Sequence, residues 1–211
     1  DVDQVDIDGK AILFESGIYA KIPTDLPEKL ALSALDVAGA PAQTAKLVKP
    51  GDTVLIIGAG GKSGMLCCYE AMKRAGVTGK VIGLCHSQKS ADRLKALGFC
   101  HTVFTADATQ PVPVMEKISE LTGGQMCDVT INNVNIPDTE MTSILCTKND
   151  GVVYFFSMAT SFTKAALGAE GVGSDVTMIV GNGYTKGHAE ITLQELRENE
   201  ALRKIFTDLY A

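Results

Sequence analysis

Residues 48–64 read Val48-Lys49-Pro50-Gly51-Asp52-Thr53-Val54-Leu55-Ile56-Ile57-Gly58-Ala59-Gly60-Gly61-Lys62-Ser63-Gly64. The apolar, partly β-branched run Thr53–Ile57 ends on a glycine-rich turn, and Gly64–Ala75 then has the composition of a helix. Strand, glycine turn and helix in that order open a βαβ unit of about 30 residues, a setting that makes such a turn informative. Glycine permits the tight turn and lets the backbone approach a pyrophosphate, whose charge the free N–H groups at a helix N-terminus stabilise. Two registers fit. G-x-G-x-x-G takes Gly58 and Gly60 with Ser63 in third place, whereas G-x-x-G-x-x-G takes Gly58, Gly61 and Gly64, and the second is preferred because all three positions are glycine. Lys62 and Ser63 then add donors for phosphate. The tail Gly61-Lys62-Ser63 echoes a P-loop, but that loop needs four residues between its glycines, and only Ala59 and Gly60 separate Gly58 from Gly61.

Outward from this turn, strands alternate with helices. Strands are expected at Thr53–Ile57, Lys80–Cys85, Thr102–Thr105, Asp128–Asn132, Val152–Ser157 and Val176–Gly181, several of them nearly continuous in apolar character, as for strands covered on both faces. Helices are expected at Gly64–Ala75, Ser90–Leu97, Val114–Leu121 and Asp138–Thr147, with Gly76 and Gly98 just past two of them, and a last helix at about Glu200–Tyr210. The implied fold is α/β, a doubly wound parallel sheet of Rossmann type with six strands in the order 3-2-1-4-5-6. Ser161–Ser174, rich in Gly and Ala, reads as a long loop carrying at most a short helix. Residues 1–45 read differently: two short apolar runs, Lys10–Phe14 and Gly17–Ile22, then Pro23 and Pro27, then a short helix at Glu28–Leu35. They are expected to be a remnant or linker of a preceding domain, with the dinucleotide-binding domain at 46–211.

Composition narrows the function. The net charge of −6 and pI of about 5.1 disfavour a phosphate-backbone partner, and 6% aromatics without Trp argue against a stacking platform for single strands, so no nucleic acid is expected. No apolar stretch approaches the roughly 20 residues of a membrane span. The six cysteines lack C-x-x-C spacing, which points to reduced thiols in a cytoplasmic protein, mostly buried, with Cys67 or Cys68 a remote candidate for reactivity. The start at Asp1, without Met or a signal-like segment, reads as a fragment.

The end of the second strand should carry the ribose selector. NAD sites place an Asp or Glu there, about 20 residues past the glycines. Here stand Cys85, His86 and Ser87, and no carboxylate occurs before Asp92. A 2′-phosphate would meet no fixed negative charge, and Ser87, Lys89 or Arg93 could pair with it. The cofactor is accordingly NAD or NADP. Lys89 and Arg93 equally fit a solvated helix face. Ligands in this fold sit outside the carboxyl ends of strands, which brings in Asn132 and Asn133 after strand four and Ser157 after strand five, all residue types that also serve turns. Gly181-Asn182-Gly183-Tyr184 has the same status, or contacts another subunit. His86 lies near the ribose position, while His101 and His188 have no ligand spacing, and no metal site is expected.

The stretch Val48–Gly61 resembles the entry into the cofactor domain of the medium-chain dehydrogenase/reductase superfamily, and Asp92-Arg93-Leu94-Lys95-Ala96-Leu97-Gly98 resembles that superfamily's helix after strand two. Tyr19-Ala20-Lys21-Ile22-Pro23 matches the usual end of its preceding catalytic domain. Three further stretches, Gly9–Ala20, Leu35–Gln43 and Leu196–Arg203, are similar to a narrower family of amino-acid dehydrogenases of bacterial lysine fermentation. The resemblance implies NAD(P)-dependent oxidative deamination of a 3-amino group, giving a 3-oxo acid and ammonium from a small amino-acid substrate. It also implies a homo-oligomer, and a chain that turns nothing over without the catalytic domain. By the same comparison Asp36 lies near the position of a metal ligand in zinc-dependent members, across a gap of about three residues, and is the candidate catalytic base; capping or solvation serves it equally. Alternatives are a non-catalytic NAD(P)-sensing module and another zinc-type or quinone-reductase-type dehydrogenase. A methyltransferase would want the acidic residue that Cys85 does not supply.

Overall fold

The apolar runs pair side by side into one six-stranded sheet in the order β3-β2-β1-β4-β5-β6, every pairing parallel. The strands are β1 (Thr53–Ile57), β2 (Lys80–Cys85), β3 (Thr102–Thr105), β4 (Cys127–Asn132), β5 (Thr147–Phe155) and β6 (Thr177–Val180). This is a computed structural model, and it describes residues 7–181 and 184–211. The helices are α1 (Glu28–Leu35), α2 (Gly39–Leu47), α3 (Lys62–Ala75), α4 (Gln88–Leu97), α5 (Pro111–Thr122), α6 (Glu140–Leu145), α7 (Phe162–Val172), α8 (His188–Glu198) and α9 (Glu200–Tyr210).

Side chains alternate across a strand with period two, so each strand feeds two layers. Val54 and Ile56 enter a large core with Leu30 of α1, Ala40 of α2, Leu66 of α3, Leu196 of α8 and Phe206 of α9. Leu55 and Ile57 enter the opposite layer with Ile82, Leu84 and the α5 residues Val114 and Ile118. These four β1 side chains are fully buried. That burial on both faces explains the unbroken apolar run that the sequence shows.

The six-strand order is the one expected, and β1, β2 and β3 have the expected bounds. Four helices differ. Ser161–Ser174 is not a loop: Ser161 Oγ accepts from Lys164 N at 3.3 Å and caps the 11-residue α7. Its exposed Phe162 and Leu167, with Gly168 and Gly171 inside, hide the amphipathic pattern. α2 was disguised by Gly39 and Pro41 in its first turn, where proline gives up no helical hydrogen bond. α8, absent from the sequence reading, is polar on its outer face. α6 is shorter than expected, because Thr147 leaves it to pair with Cys127 in the β4–β5 ladder.

The division expected at 45/46 falls inside α2. Leu26, Leu30, Ala31, Ala34 and Ala40 share the core with the sheet, whereas Ile7, Ile12, Leu13, Phe14, Ile18 and Tyr19 are exposed. Among the described residues no helix is long and apolar enough to cross a membrane. Asn182 and Gly183, expected to take part in a ligand or subunit contact, and Asp1–Gln4 lie outside the described residues.

Candidate functional site

β1 stops at Gly58, whose φ of +79° is open to glycine and strained for other residues. The N–H groups of Gly58 and Ala59 both donate to Leu84 O of β2 at 3.0 Å, and Gly61 N closes the turn on Gly58 O at 3.0 Å. Gly61 is the N-cap of α3, and no side chain caps that helix. The first-turn N–H groups thus have no side-chain acceptor at the helix start, which is an anion-binding arrangement.

Packing assigns each glycine a reason. A Cβ on Gly64 would lie 2.1 Å from Gly58 O and 2.8 Å from Ala59 Cα. One on Gly60 would lie 2.7 Å from Ser90 Cβ, and one on Gly58 2.7 Å from Val134 Cγ1. At Gly61 the nearest atom is Gly58 O at 3.3 Å, a far looser approach than at the other three. Gly64 is therefore demanded by backbone, Gly60 by the close approach of Ser90, and Gly58 by its φ and by Val134, one from each register and one shared. Gly61 alone is left with its reason outside the protein.

The turn floors a cleft of about 430 Å³ at the carboxyl ends of β1, β2 and β4, where the strand order reverses on either side of β1. Of the residues expected there, Gly58, Gly60, Gly61, Cys85, His86 and Asn133 line it. Asn133 Oδ1 accepts a weak bond from Cys67 Sγ at 3.8 Å, but its buried Nδ2 has no partner. A buried amide donor without an acceptor is costly, so one at the wall of a cleft is a position for a ligand oxygen. Cys85 ends β2; burial pushes its thiol up and a hydrogen bond with Ser90 opposes the shift. It is a small neutral wall, with no carboxylate where the ribose selector was sought. Beside it Arg93 Nη2 donates to Gly60 O at 2.5 Å and holds the turn from below.

The other expected residues do not line the cleft. Asn132 is fully buried and its side chain is spent inside the protein: Nδ2 donates to Thr139 Oγ1 and Ser143 Oγ, and Oδ1 accepts from Val134 N. Ser157 Oγ accepts from Ala159 N in the turn after β5. Ser87 caps α4, accepting from Ser90 N. Gly64 is covered by α3's contact with β1, and Ser63 is buried in the first turn. Lys62 is held by Asp36 at 2.7 Å, with Tyr210 of α9 presenting its ring 5.5 Å from the same ammonium. Asp36 itself is well exposed and stands apart from the cleft wall. Lys89 is outside the cleft too. Conversely, Ser90, Ala106, Ala108, Val134 and Ile136 line the cleft and were missed. They are small or apolar residues in loops and at a helix start, and only the parallel topology brings them to one place.

The histidines divide as well. His101 Nδ1 accepts from Val81 N at 3.0 Å, a structural bond at the entry to β2, and His188 starts α8 edge-on to Tyr184. Cys67 is fully buried and pushed up to about 12 by burial, and burial also holds Cys68 well above an ordinary thiol, so neither forms a reactive thiolate at neutral pH. Among the described residues no three His, Cys, Asp or Glu side chains converge as a metal site would require.

Comparison with known proteins adds to this geometry. The profile of a family described as zinc-binding dehydrogenase matches residues 64–182. The L-erythro-3,5-diaminohexanoate dehydrogenase of Acetoanaerobium sticklandii is 65% identical over 210 residues, covering 100% of this chain and 61% of that protein. The Fusobacterium nucleatum protein of the same name is 60% identical, with the same coverage of 100% and 61%. The chain thus spans about three fifths of the length of these relatives. A mycobacterial protein solved in complex with NADPH superposes with a TM-score of 0.66 at 21% identity, over 90% of this chain and 63% of that one. At that identity the likeness is one of fold.

Proposed function

The chain belongs to the zinc-binding dehydrogenase family, and on that ground we propose that its cleft binds the pyrophosphate and adenosine half of NAD or NADP. The unpartnered Asn133 amide above a glycine turn at the uncapped start of α3 carries this reading. The residues present fit a dinucleotide. Gly61 lets a pyrophosphate approach, and the first-turn N–H groups of α3 neutralise it. Leu84, Ala106, Ala108 and Ile136 offer an apolar slot for a flat base, and Asn133 Nδ2 donates to an oxygen deeper in the cleft. The zinc of the family's description has no ligand set among the described residues.

The whole activity is proposed from the two relatives at 65% and 60% identity. It is oxidative deamination of the 3-amino group of L-erythro-3,5-diaminohexanoate, with water supplying the keto oxygen, to 5-amino-3-oxohexanoate and ammonium, a step of lysine fermentation. The bound nicotinamide supplies the hydride acceptor for that oxidation. This chain's residues bind and orient: the glycine turn fixes the phosphates, Arg93 fixes the turn through Gly60 O, and Asn132 fixes the loop after β4 through three internal hydrogen bonds. The amine proton is not assigned to Asp36, which Lys62 occupies. In the same reading residues 7–22 belong with a preceding catalytic domain, and the protein is cytoplasmic. It self-associates through β6, whose outer edge pairs with no other strand among the described residues.

Titration of this chain with NADH and NADPH, followed by fluorescence or calorimetry, tests the binding claim. Saturable binding of one or both is expected; binding of neither overturns it. The substrate claim is tested on the same enzyme family's full-length protein by coupled formation of NADH or NADPH and ammonium from the diamino acid.

A further inference from the structure

Lys62 is the first residue of α3, where the positive end of the helix dipole opposes a cation, and α3 has no acidic residue in its first turn. The ammonium therefore needs an anion from elsewhere in the chain. Asp36, in the turn after α1, supplies it at 2.7 Å, and no other donor reaches that carboxylate among the described residues. The pair is lightly held: the Asp36 side chain is 65% exposed and that of Lys62 28%. Exposed pairs of this kind are weak. Tyr210 places its ring on the same ammonium, so the lysine arm rests in a seat made of one carboxylate and one aromatic face. Meanwhile Gly58, Gly60 and Gly61, the residues immediately before Lys62, line the cleft. Any pyrophosphate on the first turn of α3 is a second anion competing for this one lysine.

We propose that Asp36 is a place-holding counter-ion, which seats Lys62 while the cleft is empty and yields it to the pyrophosphate when a dinucleotide binds. The inference rests on the dinucleotide reading above. It makes Asp36 a positioning residue that weakens cofactor binding by the strength of the pair it must give up, and so speeds release. No bond is made or broken; one ion pair is exchanged for another.

The test compares wild type, Asp36→Asn and Lys62→Met in titrations with NADH, ADP-ribose and adenosine. Asp36→Asn is expected to tighten NADH and ADP-ribose by about two- to fivefold, the worth of an exposed pair. Lys62→Met is expected to loosen both by about tenfold through loss of a charge-assisted phosphate contact. Adenosine, which has no phosphate, is expected to respond to neither substitution. A tighter complex is a readout that structural damage does not produce, and thermal melting of both variants checks their folding. Unchanged or weaker ADP-ribose binding by Asp36→Asn overturns the proposal. So does tightening by Asp36→Asn alongside an unaffected Lys62→Met, because the carboxylate would then act by direct repulsion. If wild type binds none of the three ligands, the dinucleotide reading fails first and takes this one with it.

Discussion

A Cβ placed on Gly64 would stand 2.1 Å from the carbonyl oxygen of Gly58, so the start of α3 and the end of β1 touch through bare backbone. No flexible side chain intervenes to give way. Gly64→Ala is therefore expected to cost about 1–3 kcal/mol or more, as overpacking does, and to abolish dinucleotide binding with it. Gly61→Ala should melt like wild type yet bind NADH at least about tenfold more weakly, because the space it fills belongs to the ligand. Melting curves and NADH titrations on the two variants check this; the reverse pattern would mean that the two glycines have been given each other's roles.

Asn133 Nδ2 is buried without an acceptor. Asn133→Ala removes that orphan donor, so the empty protein is expected to lose little stability, while NADH binding weakens by about 1–2 kcal/mol through the lost hydrogen bond. Equal loss of stability and unchanged binding would assign the amide to the fold instead of the ligand.

Cys85 stands where a carboxylate would read ribose hydroxyls. Cys85→Asp is expected to penalise NADPH at least about tenfold more than NADH, since a 2′-phosphate would meet a like charge at short range. Cys85→Ser, which changes size little and adds no charge, should leave the ratio of the two dissociation constants near its wild-type value. A ratio that fails to move in the Asp variant would place the ribose elsewhere.

Glu195 of α8 is fully buried, and neither of its carboxylate oxygens has a hydrogen-bond partner. Burial first, then the neighbouring Glu70 and Glu198, push its carboxyl well up, against the smaller opposing pull of Lys73 and Arg74. A carboxyl that keeps its proton in the folded state contributes stability below the unfolded pKa. That contribution is lost as pH rises from the ordinary Glu range toward the raised folded value, at up to about 1.4 kcal/mol per pH unit. Glu195→Gln is expected to flatten that decline and to raise the melting temperature at pH 7. Denaturant unfolding of both proteins between pH 5 and 8 measures the slopes, and parallel slopes would contradict the assignment.

The sheet was legible because β1 carries its own evidence: an unbroken apolar run against a glycine turn can hardly be anything but a central parallel strand. α7 and α2 were not legible, since Gly168, Gly171, Gly39 and Pro41 carry local penalties that tertiary packing overrides. Gly58, Gly60 and Gly61 were expected from the glycine turn, Cys85 and His86 from the end of β2 and Asn133 from the end of β4, and all six line the cleft. Asn132 and Ser157 sit at equally suitable places in the chain. Their side chains are claimed by Thr139, Ser143 and a local turn, a choice of rotamer and partner that spacing does not encode. Ala106 and Ala108 carry no chemistry to notice.

The place of β4 beside β1 has a consequence for how the protein is made. Val54 meets Val129 and Ile57 meets Asn132, so one flank of the central strand waits for a partner synthesised long after it. On the ribosome β1 can join β2 early, but Leu55 and Ile57 stay uncovered until α5 has emerged, and the other edge of β1 stays unpaired until β4 follows. Until then the nascent chain exposes an unpaired strand edge, and that interval is when a holdase chaperone has something to bind.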